Sequence, residues 1–202
     1  MKKFVIRTIS AVSAMTFFIA LFGGIYLYAR FTPVAHAVID TDTAVELSLN
    51  RFGRVIVNRV YHKGKKNALT MLALSDLPME QAVTDIVDTA YDVGTFDKTA
   101  SMGIFVCVHA PSETQSAVLT REVAAVVDKR LRELKVPCRV HGMSCPAAFL
   151  AAGHNKDVSP ASLCMISVLE RTHNDPIDAV YERMLKYTPR QLKARYAKTM
   201  GF

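Results

Sequence analysis

"SLCMISVL", Ser162 to Leu169, is apolar except for its two serines, and how it is read sets the fold. It reads as a strand buried on both faces, the kind found inside a parallel sheet. "MGIFVCVHAP", Met102 to Pro111, is a second such run. Between them lie two helices and a third strand. Ser112 and Gln115 have capping-box spacing, and Leu119, Val123, Val126, Val127, Leu131 and Leu134 then mark one helical face. "VPCRVHGM" is the third strand, followed by a helix from Pro146 to Ala152 that Gly153 ends.

The flanks continue the alternation. A strand is predicted over Arg54–Val60, then a polar turn at "YHKGKKN", Tyr61 to Asn67. A helix follows Ser75-Asp76, with Pro78 in its first turn and Ala82, Val83, Ile86, Val87 and Ala90 inward. Asp175-Pro176 opens a helix that buries Ile177, Val180, Tyr181, Met184 and Leu185. Thr188-Pro189 opens the last one. The expected fold class is α/β, a mainly parallel sheet of repeated βαβ units.

The N-terminus is different in kind. Lys2, Lys3 and Arg7 precede an uncharged run, Thr8 to Ala29, which Arg30 closes. Its 22 residues would span about 33 Å as a helix, enough to cross a bilayer. Ala35-His36-Ala37 has the pattern of a signal-peptidase site, so residues 1–37 read as a transmembrane anchor or a cleaved signal. The heavier basic flank on the N-terminal side sends residues 38–202 across the cytoplasmic membrane as one extracytoplasmic domain.

The formal net charge of +7 includes the four basic residues of the anchor, which leaves +3 for residues 38–202. That is too little to argue for nucleic acid. Cys107, Cys138, Cys145 and Cys164 form no C-x-x-C pair, so neither a zinc knuckle nor a thioredoxin-type centre is suggested. Free thiols and disulfides remain equally open. Neither a metal nor a cofactor is expected.

"VHGMSCPAAFLAAG", Val140 to Gly153, adds a resemblance. With "IFVCVHAPSE" before it and "SPASLCMISV" after it, it is similar to the ClpP and signal peptide peptidase A families of the ClpP/crotonase-like superfamily. The resemblance implies Ser144 as nucleophile, while a match without gaps puts Pro146 there. It sets Ser112-Glu113 at the glycine pair of the oxyanion hole, Ser167 at the histidine and Lys198 at the aspartate. A serine needs a base within hydrogen-bond reach, and Glu113 would repel a developing oxyanion. The implied protein is a degenerate hydrolase scaffold that acts by binding a protein partner or by self-association.

The alternative is an active serine peptidase with a relocated base. His109 and His141 end neighbouring strands, and the carboxyl ends of parallel strands face one cleft. A Ser144–His141 dyad or a pair of Cys145 with a histidine is therefore conceivable. The competing reading makes Ser144 a helix N-cap and both histidines ordinary strand-end residues.

Overall fold

The computed structural model describes residues 2–61, 68–96, 103–171 and 175–201, with side chains from Met15 onward. Helix α1, Lys2–Phe31, stops just before Pro33, which disfavours helical backbone in the residue preceding it. Strands β1 (Ala35–Asp40), β2 (Ala44–Leu49) and β3 (Val55–Tyr61) follow as an antiparallel meander. The first turn is tied by Thr41 Oγ1 donating to the Thr43 carbonyl at 3.1 Å. The second is built on Asn50, whose Oδ1 accepts from the amides of Phe52 and Arg54, and Gly53 supplies the positive φ of 68°.

After α2 (Met79–Asp92), strand β4 (Ile104–His109) pairs antiparallel with β1. Helix α3 (Glu113–Glu133) returns the chain to β5 (Val140–Ser144), which runs parallel to β4. The sheet order is β3-β2-β1-β4-β5. Three of its four pairings are antiparallel, and β4–α3–β5 is its single βαβ unit among the described residues. Helices α2 and α3 cover one face, burying Val83, Ile86, Val123 and Val127 against Ile39, Leu47 and Val106. Helices α4 (Ala147–Lys156), α5 (Pro160–Glu170), α6 (Ile177–Met184) and α7 (Pro189–Thr199) cover the other.

The mainly parallel sheet is thus corrected to a mixed, mostly antiparallel one. "SLCMISVL" is the middle of α5, with Pro160 at its first turn and Arg171 in the left-handed conformation closing it. Every residue from Pro160 to Ser167 is buried, so the helix has no polar face and its period is hidden. Ala35-His36-Ala37 opens β1 in the middle of the sheet, with Ala37 fully buried. The predicted transmembrane helix is not supported. The run Thr8–Ala29 is helical within α1, but no helix among the described residues is long and apolar enough to cross a membrane. Of the polar turn expected over Tyr61–Asn67, Tyr61 ends β3 and residues 62–67 lie outside the described ones.

Candidate functional site

Alternation along the strands sorts the chemistry to one side of the sheet. His36 and Asp40 of β1, Glu46 and Ser48 of β2, Tyr61 of β3 and Cys107 and His109 of β4 all face the layer of α4–α7. Register sets Glu46, Val38 and Cys107 side by side on three strands, with Ser48, His36 and His109 in the next row.

Glu46 is the centre of the first polar group. It is the single acid in the strand "AVELSL", and its side chain is 2% exposed. Its Oε1 lies 2.8 Å from His36 Nδ1 and 2.9 Å from His154 Nε2, and the Tyr61 hydroxyl donates to Oε2 at 2.5 Å. Burial works to raise the carboxyl. Hydrogen bonds from His36, Tyr61 and His154 outweigh it and hold the group down at about 2. Burial and the bond to this carboxylate push the Tyr61 phenol well above its ordinary value.

Three thiols form the second group. Cys107 Sγ is 3.4 Å from Cys164 Sγ, which is 3.8 Å from Cys145 Sγ. All three are buried and in no disulfide, and Cys138 lies outside the group. The neighbouring Cys107 and Cys164 thiols push Cys145 below its ordinary value. The absence of C-x-x-C spacing concealed this group, because its members come from β4, the β5–α4 link and α5.

The third group is a buried ion pair. Lys193 of α7 places Nζ 2.5 Å from Asp40 Oδ1, and Ser159 donates to Asp40 Oδ2 at 2.9 Å. Beside it opens a cavity of about 260 Å³ bordered by Asp40, Tyr61, Ser159, Met184, Tyr187 and Leu192. That is just under the roughly 300–1,000 Å³ of ordinary small-molecule sites.

The residues singled out in the sequence do not converge. Ser144 and His141 are three apart in β5, so they point to opposite faces of the sheet. His141 packs its ring on Phe105 at 5.2 Å, on the α4–α7 side. His109, also on that side, donates from Nδ1 to the Cys145 carbonyl at 3.0 Å. The relocated Ser144–histidine dyad is not formed, and the hydrogen bond of His109 to Cys145 goes to its backbone carbonyl. Ser144 is not an N-cap either, since α4 starts after Pro146 with no side-chain cap.

The positions carried over from the hydrolase resemblance fare no better. Ser112 caps α3 by accepting from the Gln115 amide at 3.2 Å, so Ser112-Glu113 is a helix start and not an oxyanion hole. Ser167 is buried inside α5, and Lys198 lies exposed on α7. Glu46, Tyr61, His154, Asp40 and Lys193 were missed, and the lone acid of "AVELSL" was the only local signal for any of them.

Fold and site define a three-layer α–β–α domain whose polar centre is a carboxylate held by imidazoles and a phenol, in place of an activated serine. The chain belongs to the family of the anti-sigma factor RsgI-like central domain, whose family model matches residues 34–167. The match replaces the expected ClpP/crotonase-like assignment and, with it, the degenerate or active peptidase. It begins just before β1 and ends within α5. Membership indicates a protein partner, whereas attachment to a membrane through the N-terminal helix is unsupported. No curated protein matches the chain.

Proposed function

We propose that this chain carries a regulatory domain of an anti-sigma-factor-type protein, and that the protein it regulates is a sigma factor. The family match over residues 34–167 carries this reading. Anti-sigma factors act by holding a sigma factor away from RNA polymerase, so the function is binding and release, not turnover. The buried polar face is in keeping with that role, since it joins the central strands to α4 and α7 without assembling a nucleophile and base. The test is transcription from sigma-dependent reporters while the chain is co-expressed. The expected result is repression of one reporter and co-purification of its sigma factor. If no reporter responds and no sigma factor co-purifies, the reading fails.

A second reading concerns place. Lys2, Lys3 and Arg7 outweigh Arg30 about the apolar run Thr8–Ala29, which favours export of the domain to the extracytoplasmic side of the cytoplasmic membrane. Export requires only that the run be recognised as a signal, not that it persist as a span. An exported domain would regulate a sigma factor without touching it. A carboxy-terminal alkaline phosphatase fusion separates the two readings, being active only outside the cytoplasm.

A further inference from the structure

His36, Glu46 and His154 belong to β1, β2 and α4, and the fold brings one ligand atom of each within 4.8 Å of the others. We propose that these three side chains bind a divalent transition-metal ion of the zinc type, through His36 Nδ1, Glu46 Oε1 and His154 Nε2. This goes beyond the partner-binding reading and does not depend on it.

The donor set is the first argument. Two imidazoles and one carboxylate suit zinc and its neighbours, and three protein ligands leave a fourth position for water or a partner's side chain. Spacing is the second. Zinc–nitrogen and zinc–oxygen bonds of about 2.0–2.2 Å at tetrahedral angles place ligand atoms roughly 3.3 Å apart. The present separations of 2.8 and 2.9 Å need to open by about half an ångström, within reach of side-chain rotation.

Support from outside the triad is the third. Tyr61 holds Oε2 at 2.5 Å while Oε1 faces both imidazoles, with His154 Nε2 also 2.9 Å from Oε2, and such outer partners orient metal ligands. The Ser48 hydroxyl, 3.2 Å from His36 Nδ1, gives that ring a further partner when no metal is bound. On binding, the proton that each imidazole directs at Glu46 moves to its other ring nitrogen. Access is the fourth argument. The carboxylate is buried, but the His154 side chain is 36% exposed and that of His36 19%, so an ion can enter from the imidazole side. The thiol trio, at most 4% exposed, has no such approach.

A bound ion would tie α4 to the β1–β2 hairpin across two layers. The test uses the full chain without a polyhistidine tag, stripped with chelator and titrated with zinc and separately with cobalt. Expected are one ion per chain, a raised melting temperature, and the visible bands of tetrahedral cobalt without a cobalt–thiolate charge-transfer band. His154→Ala should weaken binding by roughly tenfold or more, and Tyr61→Phe by about 10–100-fold, with circular dichroism unchanged. Absence of binding would overturn the proposal. So would binding indifferent to His154→Ala, or a thiolate band that disappears in Cys145→Ser.

Discussion

Lys193 on α7 and Asp40 on β1 form an ion pair 2.5 Å long although 153 positions separate them, and both side chains are 2–3% exposed. The same ammonium donates to the Asp40 carbonyl at 3.2 Å. Helix α7 lies beyond the residues matched by the family model, so this contact fastens it to the domain. Removing one member of a buried pair strands the other charge, at a cost of about 3–5 kcal/mol. Lys193→Met should lower stability by that amount in urea denaturation. A double variant with Asp40→Leu should lie closer to the parent than either single change. A loss below about 1 kcal/mol for Lys193→Met would mean the pair holds nothing in place.

Glu46 makes the domain acid-sensitive. Its folded value of about 2 lies below the ordinary 4.5, so its contribution is fully present above 4.5 and is lost as pH falls through the folded value. The groups facing it are His36, Tyr61 and His154, with Arg59 against the Tyr61 ring. The linkage is worth on the order of 3 kcal/mol. Thermal melts of chelator-treated protein from about pH 5 to about pH 2 should therefore show a falling limb. Glu46→Gln should flatten that limb while lowering stability at neutral pH.

Ser144 should be dispensable. It is exposed at the end of β5 and caps no helix. Ser144→Ala should change urea stability by no more than about 0.5 kcal/mol, and a fluorophosphonate should label parent and variant equally weakly. Strong labelling of the parent that the substitution abolishes would restore a hydrolase.

Gly153 should not tolerate a side chain. A Cβ there would meet Pro160 Cγ at 2.7 Å and the Val158 carbonyl oxygen at 2.9 Å, where the α4–α5 turn folds back on α4. Since neither a proline ring nor a backbone carbonyl can swing away, Gly153→Ala should cost about 1–3 kcal/mol. Chemical denaturation measures it, with Ala151→Gly, at an exposed position of the same helix, as the control for helix propensity.

Elements with a one-sided apolar face were legible. Helix α2 buries the five residues that its period marks, and α7 starts at Thr188-Pro189, with Thr188 as its N-cap. Strand β4 was legible from its continuous apolar run. Helix α5 was not, because a segment buried all round loses the period that separates helix from strand. Strand β1 was hidden by an export-like context, and β2 by the absence of an Asn-Gly turn after Asp40.

For the candidate site, the sequence by itself determined that histidines, cysteines and a lone glutamate lie in apolar stretches. It also determined that residues 34–167 carry the pattern of an anti-sigma factor central domain. Only the tertiary structure decided which of these residues meet. Strand parity put Ser144 and His141 on opposite faces, and sheet register put Glu46 near His36. Helix packing then delivered His154, Cys164 and Lys193 from far along the chain. Local propensities act over a few residues, whereas burial of apolar area selects among packings of the whole chain. Contacts between distant polar groups follow from that packing.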